Sequence, residues 1–147
     1  MINPLICILD YGSGNVRSVY NILKYLGHNV VISNEKKVIK DSSHLILPGV
    51  GSFTSAMEKI KKKLPLQCIE NEVISNGKPF LGICVGMQVL ANKGYEFEVS
   101  EGLGWISGSV RKIKAGKLSL PHVGWNDFLV DIPNPIFNNL KEYRDFY

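Results

Sequence analysis

The residue whose surroundings are most indicative of chemistry is Cys84, in the sequence Gly82-Ile83-Cys84-Val85-Gly86. A nucleophile between two glycines, directly after the apolar run Pro79-Phe80-Leu81, is typical of a sharp turn from a strand into a helix. Such a turn, a nucleophile elbow, exposes the side chain above the end of a parallel sheet. The pattern therefore predicts covalent catalysis by a thiol, because a buried structural cysteine needs no such surroundings.

Acyl transfer at this sulfur would need hydrogen-bond donors for the negative charge that develops on the substrate oxygen. The elbow supplies the backbone N–H of Val85, and the loop Pro48-Gly49-Val50-Gly51 can bring further amides close to a substrate. The helix after Cys84 would direct the positive end of its dipole at the sulfur, which favours the thiolate. We therefore expect Cys84 to be the nucleophile, with the oxyanion held by Gly49, Val50, Gly51 and Val85.

A thiol nucleophile usually has a histidine close by as its general base. The chain has three histidines, His28, His44 and His122. We expect His28 and His44 to be ordinary residues at the ends of strands, because neither has a neighbouring carboxylate that could orient it. We expect His122 to face a partner or to be structural, so the sequence does not reveal a catalytic base.

The elements that would position this site alternate between strand and helix patterns. Short apolar runs predict strands at 5–9, 30–32, 45–47 and 79–83, with helices between the first and second strands and between the third and fourth. Gly27 is expected to end the first helix, and Ser52 to cap a later one. Beyond Asn92, glycines separate short segments such as 109–113, which we expect to form a small antiparallel extension. The sequence therefore predicts an α/β fold, with a mostly parallel central sheet and helices on both faces.

Length and composition favour a single domain, since 147 residues that are 45% hydrophobic can fill one core. We expect the protein to act in the cytoplasm without membrane contact, because no segment is long enough to span a bilayer. Three cysteines without Cys-x-x-Cys spacing indicate neither a disulfide framework nor a metal site. The net charge is only +4, and the clustered lysines are interpreted as a solvated helix end rather than a nucleic-acid surface: Lys59, Lys61, Lys62 and Lys63.

The turn Gly12-Ser13-Gly14 after the first strand is similar to a dinucleotide-binding loop. However, Arg17 stands at the third glycine position, and no Lys-Ser or Lys-Thr pair follows. We therefore expect a tight turn that serves a partner surface, and no cofactor. Trp125 is as compatible with a core position as with a partner contact.

Five blocks, in order along the chain, resemble the class I glutamine amidotransferases. They are 10–15 (Asp-Tyr-Gly-Ser-Gly-Asn), 47–51 (Leu-Pro-Gly-Val-Gly), 81–88 (Leu-Gly-Ile-Cys-Val-Gly-Met-Gln), 102–108 (Gly-Leu-Gly-Trp-Ile-Ser-Gly) and 120–126 (Leu-Pro-His-Val-Gly-Trp-Asn). Within this family the chain most resembles the glutaminase subunits of imidazole glycerol phosphate synthases. The resemblance implies flavodoxin-like layering of the sheet and helices.

The resemblance implies hydrolysis of glutamine to glutamate and ammonia through a thioester at Cys84. The ammonia would pass to a cyclase (synthase) subunit of a heterodimer, which forms imidazole glycerol phosphate in histidine biosynthesis. The resemblance further implies that Gly51 and Gln88 contact glutamine, and that Asn15 and Trp125 face the synthase. Val85 stands where the family usually has leucine, a small change because the backbone N–H matters most.

The resemblance also implies a His-Pro-Glu block, and this chain has none. Without that histidine and glutamate, the site lacks its general acid and base. We therefore expect one amidotransferase domain over residues 1–147 that is incomplete at its carboxyl end and weakly active or inactive alone. A truncated product, a remainder carried by another chain and a degenerate relative kept for binding all remain open.

Two alternative functions also remain open. One is a paralogue that supplies ammonia for amination of a sugar-linked substrate in surface glycan synthesis, since the acceptor chemistry belongs to the partner. The other is a non-catalytic module that docks on the synthase. A different cysteine hydrolase of similar fold is disfavoured by Gln88 and by the Gly-Trp-Asn block at 124–126.

Overall fold

The computed structural model of the chain describes residues 4–131, 134–137 and 145–146. They belong to two compact units, residues 1–112 and residues 113–147. The helices of the first unit are α1 (Val16–Tyr25), α2 (Lys36–Asp41), α3 (Phe53–Lys63), α4 (Leu66–Glu70) and α5 (Val85–Gln88). Its strands are β1 (Leu5–Leu9), β2 (Asn29–Ser33), β3 (His44–Gly49), β4 (Phe80–Cys84), β5 (Ala91–Gly94), β6 (Ser100–Glu101) and β7 (Ile106–Val110).

The central sheet of the first unit contains four parallel strands in the order β2-β1-β3-β4. Alternate residues of β1 point to opposite faces, as in any strand. Cys7 and Leu9 join a buried cluster with residues of α3 such as Phe53, whereas Ile8 packs in a second cluster that includes residues of α1 such as Val19. Helices therefore cover both faces, and the predicted α/β fold is confirmed.

The predicted ends of α1 and α3 are confirmed. Gly27 follows α1 with a φ of 83°, a left-handed conformation that glycine adopts without steric cost. The Ser52 side chain caps α3 by accepting a hydrogen bond from the Ser55 N–H, with a separation of 3.3 Å. After Glu70, helix α4 continues as a π-helical turn at Asn71–Ser75. Helix α2 was not predicted from the sequence.

The extension beyond α5 differs from the predicted arrangement. Its three strands have the order β6-β5-β7, and β5 pairs antiparallel with β6 but parallel with β7. The prediction of an antiparallel strand at 109–113 was therefore wrong in direction, and the strand ends at Val110. The physical reason is that alternation of side chains is common to both kinds of strand, so it carries little information about direction.

The second unit contains a short antiparallel pair, β8 (Asn126–Asp127) with β9 (Asp145–Phe146), and a 3-10 turn at Pro135–Phe137. Within this unit the rings of Phe128 and Phe137 lie 5.5 Å apart between centroids. Trp125 is 72% exposed, so it is not a core residue. Across the described parts of both units, no helix has the length and apolar character needed to cross a membrane.

A largely buried ammonium group ties α2 to the segment before β4. Lys78 Nζ donates to the carbonyl oxygens of Ile39 and Lys40, at 2.7 and 2.8 Å, and lies 2.9 Å from a carboxylate oxygen of Glu72. The hydrogen bond from Lys78 holds the pKa of the Glu72 carboxyl below its usual value. Carbonyls in the last turn of a helix lack intrahelical partners; Lys78 supplies a donor to two of them, and Ser42 Oγ supplies a second donor to Ile39 at 2.8 Å.

We expect Lys78→Met to lower the free energy of unfolding by about 1–2 kcal/mol, because methionine keeps the apolar stem but leaves the Lys40 carbonyl without its donor and the Glu72 carboxylate without its ion pair. Urea denaturation would measure the change. Lys36→Met, at an exposed lysine of the same helix, is the matched control, and its effect should stay within about 0.5 kcal/mol. Equal losses in the two variants would contradict the assigned role of Lys78.

Candidate active site

Cys84 forms the turn between β4 and α5 with a φ of 55° and a ψ of −120°. A positive φ is unusual for a residue other than glycine, and it persists only where the surrounding structure imposes it. The Cys84 side chain is nevertheless exposed. A strained backbone that presents an exposed side chain between a strand and a helix is the geometry of a nucleophile elbow.

Three glycines allow the backbone to pack tightly around this turn. A Cβ atom on Gly86 would overlap the carbonyl oxygen of Leu47, and one on Gly49 would overlap the backbone nitrogen of Gly86. A Cβ atom on Gly82 would lie 2.6 Å from the carbonyl oxygen of Gly86, well inside contact distance. The ends of β3 and β4 therefore approach the start of α5 so closely that only glycine fits at these positions.

The loops after β1, β3 and β4 converge at this point. Gly49, the last residue of β3, pairs in register with Cys84, the last residue of β4. The loop after β1 reaches the same place, because Ser13 Oγ donates to the carbonyl oxygen of Val50 at 3.2 Å. All three loops leave the carboxyl ends of parallel strands, which is where ligands bind in open α/β sheets.

The predicted oxyanion residues occupy this junction. Gly49 is buried, Val50 is 52% exposed, and Gly51 adopts a φ of 92°. Val85 is the first residue of α5, so its N–H is one of those that lack an intrahelical acceptor. Gln88, half-buried, ends the same helix one turn beyond the nucleophile. The structure thus brings backbone donors near the sulfur, and their catalytic roles stay predictions.

Helix α5, which follows the nucleophile, is short. It spans only four residues, and the chain enters β5 at Ala91. A helix dipole is the sum of aligned peptide units. A helix of this length therefore supplies only part of the field of a longer one. Stabilisation of negative charge on the sulfur must therefore depend on individual N–H groups at the elbow and on other nearby dipoles.

The two residues predicted to face a partner lie in different units. Asn15 is exposed and caps α1, since its side-chain oxygen accepts a hydrogen bond from the Ser18 N–H at 3.3 Å. This capping gives Asn15 a structural role in addition to the predicted one. Trp125 belongs to the second unit. Trp105, by contrast, packs edge-on against Phe80 with 5.1 Å between ring centroids, and contacts the buried cluster of the first unit.

Neither histidine of the first unit is placed to act on Cys84. His28 immediately precedes β2, and His44 begins β3, so both lie at the amino end of the parallel sheet. Cys84 lies at its carboxyl end, and a strand the length of β3 separates the two ends by about 17 Å. The His44 ring instead lies 2.9 Å from Ser43 Oγ. His122 is exposed within the second unit.

Sequence reasoning missed a carboxylate at the start of α3, the helix that follows the predicted oxyanion residues. Glu96 accepts a hydrogen bond from the backbone N–H of Phe53 at 2.9 Å, at the start of α3 and two residues after Gly51. A carboxylate is favoured there by the positive end of this eleven-residue helix. The contact joins residues 43 positions apart, so no local pattern could have indicated it.

Sequence reasoning also missed Tyr11, whose hydroxyl is buried next to Gly49. Its side chain is fully buried, and its hydroxyl has no hydrogen-bond partner among the described residues. The hydroxyl oxygen lies 3.0 Å from the point that a Cβ atom on Gly49 would occupy. A polar atom is thus buried directly behind the strand that carries the predicted oxyanion residues.

Comparisons with known proteins agree with this geometry. The profile of the family described as Glutamine amidotransferase class-I matches residues 7–146. The chain is 41% identical over 144 residues to imidazole glycerol phosphate synthase subunit HisH 2 of Vibrio vulnificus, covering 97% of the chain and 67% of the relative. It is 43% identical over 138 residues to subunit HisH of Bacillus cereus, covering 94% and 65%. The chain therefore spans about two thirds of the length of the curated relatives it matches.

A solved structure, that of a peptidase E protein from Listeria monocytogenes EGD-e, superposes with a TM-score of 0.51. The sequence identity is only 14%, and the match covers 61% of this chain and 50% of that one, so it is evidence for the fold alone. The family profile, in contrast, extends over nearly the whole chain and includes the elbow. The chain belongs to the class-I glutamine amidotransferase family.

Proposed function

We propose that the chain carries the nucleophile and the oxyanion donors of a glutaminase site, which hydrolyses glutamine to glutamate and ammonia. The observation that supports this most directly is the strained, exposed elbow at Cys84, paired with Gly49 at the ends of two parallel strands. Family membership supports glutamine as the substrate. On this proposal, Gly51 and Gln88 contact the glutamine.

In the first step, the Cys84 thiolate forms a bond to the side-chain carboxamide carbon, and the C=O electron pair moves onto oxygen. The N–H of Val85 and amides of Gly49 to Gly51 stabilise that oxyanion. Collapse of the intermediate breaks the C–N bond, and the nitrogen takes up a proton and leaves as ammonia. Water then hydrolyses the thioester to glutamate, which regenerates the thiol.

Both steps require proton transfers that no side chain assigned above provides. The leaving nitrogen must be protonated and the attacking water deprotonated, tasks usually performed by a histidine. His28 and His44 lie at the opposite end of the sheet. We therefore propose that the chain by itself forms the thioester slowly. Complete turnover would depend on acid–base groups that belong neither to the elbow at Cys84 nor to the glycine loop at 48–51.

We further propose that the ammonia is delivered, in the cytoplasm, to a synthase subunit that forms imidazole glycerol phosphate in histidine biosynthesis. The support is that the relatives from V. vulnificus and B. cereus are named as subunits of such a synthase. Asn15 and Trp125 would belong to the contact surface. Both side chains are exposed, as contact residues must be before a partner binds.

The decisive experiment uses a glutamine analogue with a chloroketone in place of the carboxamide. We expect it to alkylate Cys84 selectively, with half-buried Cys68 as an internal comparison, and we expect Cys84→Ser to abolish that modification. Glutamine should protect Cys84, whereas asparagine, one methylene shorter, should not. Mass spectrometry of peptides from the modified chain would assign the label.

If Cys84 is not modified, or is modified at a rate that glutamine does not change, the glutaminase proposal fails. That result, together with retained binding to the synthase, would favour the non-catalytic docking module instead. Modification with protection by glutamine excludes that module, because a pure docking protein has no reason to recognise glutamine at this thiol.

A further inference from the structure

The Tyr11 hydroxyl is an unusual group in this structure because it is buried without a partner. The side chain is 0% exposed and packs in the same cluster as Leu9 and Phe53. Its hydroxyl oxygen meets no hydrogen-bond partner in the described part of the chain. A buried hydroxyl that is left unpaired destabilises a fold, and phenylalanine would fill the same space without that penalty. The polar atom therefore calls for an explanation other than stability.

The position of the Tyr11 hydroxyl links it to the predicted nucleophile. It lies behind Gly49, 3.0 Å from the site of a Cβ atom there, and Gly49 is the register partner of Cys84. Burial raises the pKa of the Tyr11 phenol, nearby Ser13 lowers it in part, and the negative charge of the Cys84 thiolate raises it further. The phenol thus stays protonated, remains a donor, and lies within the electric field of the sulfur.

The neighbouring polar groups are otherwise engaged. The Ser13 hydroxyl donates to the Val50 carbonyl oxygen at 3.2 Å. The Asp10 carboxylate accepts from the Gly12 N–H at 2.9 Å, and Lys63 Nζ lies against Gly12. Cys84 is the charged group whose Coulombic effect raises the pKa of the phenol.

We propose that Tyr11 is a positioning residue for the nucleophile, whose buried O–H dipole stabilises the charged Cys84 sulfur from behind the oxyanion strand. Dipoles held in a low-dielectric interior act more strongly on a charge than the same groups in water, and they need no reorganisation when the charge forms. The phenol would supply part of the field that the short helix α5 cannot. This inference rests on the proposed role of Cys84 as the nucleophile.

The test compares Tyr11→Phe with the unsubstituted chain in its reaction with iodoacetamide at neutral pH, a probe that requires no substrate recognition. We expect alkylation of Cys84 to slow about five-fold, as for the loss of one favourable polar contact, while the rate at Cys68 stays unchanged. The midpoint of thermal unfolding should stay the same or rise, because the unpaired hydroxyl is gone. The thiolate ultraviolet absorbance that Cys84→Ser removes should also fall in Tyr11→Phe.

Tyr20→Phe is the matched control, since Tyr20 lies on α1 and packs against the opposite face of the sheet. It should leave the Cys84 rate unchanged. An unchanged Cys84 rate in Tyr11→Phe would overturn the inference, and so would a decrease shared by Cys68 or by Tyr20→Phe. Failure of the proposed function gives a different result: Cys84 of the unsubstituted chain would then not be protected by glutamine from the chloroketone.

Discussion

Replacing Gly86 with alanine is expected to lower the free energy of unfolding by about 3 kcal/mol and to abolish labelling of Cys84 by the glutamine analogue. The added Cβ would overlap the Leu47 carbonyl oxygen and lie 3.2 Å from the Pro48 carbonyl carbon. Both atoms belong to the backbone of β3, which is buried and cannot rotate aside as a side chain can. A loss of this size is a large part of the 5–15 kcal/mol that typically stabilises a domain.

Gly124→Ala is the control for this substitution. Nothing lies within 4 Å of a Cβ atom at Gly124, and its φ is not in the left-handed region. Its effect on stability should therefore stay within about 0.5 kcal/mol. Denaturant unfolding and Cys84 labelling would be measured for both variants. If Gly86→Ala behaved like Gly124→Ala, the backbone could not be as close at the elbow as described, and the geometric argument for a nucleophile there would be lost.

The elements that position the elbow could be predicted because their signals are local. Strand β1 has the bounds predicted for it, since a continuous apolar run between a proline and an aspartate has few other interpretations. The ends of α1 and α3 were predicted from Gly27 and Ser52, whose effects depend only on the adjacent turn. The same holds for the turn at Cys84, where strand, glycines and helix follow one another directly.

The elements that were missed or misjudged depend on tertiary contacts. Helix α2 has only one buried residue, Ile39, so its apolar pattern is too weak to indicate a helix. The end of helix α5 at Gln88 was not predicted, because it depends on the pairing of the following strand β5 with β6 and β7, and such pairing overrides local helix propensity. Local sequence has no information on which strand will be the neighbour.

The same limit applies to the candidate site. Cys84 and the glycine loop at 48–51 could be identified because each lies in a short sequence pattern that is typical of one backbone geometry. The contacts of Glu96 with Phe53, and of Tyr11 with the strand at Gly49, arise only once the sheet order is fixed. The burial of the Tyr11 hydroxyl without a hydrogen-bond partner among the described residues is likewise a property of the folded chain.

The 147-residue chain is expected to turn over glutamine about 10² to 10⁴ times more slowly than a longer relative, such as the B. cereus subunit, because general acid–base help is worth that factor. The chain contains no His-Pro-Glu block, and His28 and His44 are at the wrong end of the sheet. Glutamate formation would be measured for both proteins, each in the presence of the synthase subunit. Cys84→Ser provides the background rate.

Labelling of Cys84 separates the two explanations for a low rate. If the analogue still modifies Cys84 and glutamine still protects it, the binding site and nucleophile are formed, and the slow step is proton transfer. If labelling is lost together with turnover, the elbow itself is not formed. Turnover equal to that of the longer relative would contradict the expectation, since a base would then have to be present. His122 would be the first residue to test, by His122→Ala, because it is the remaining histidine of the chain.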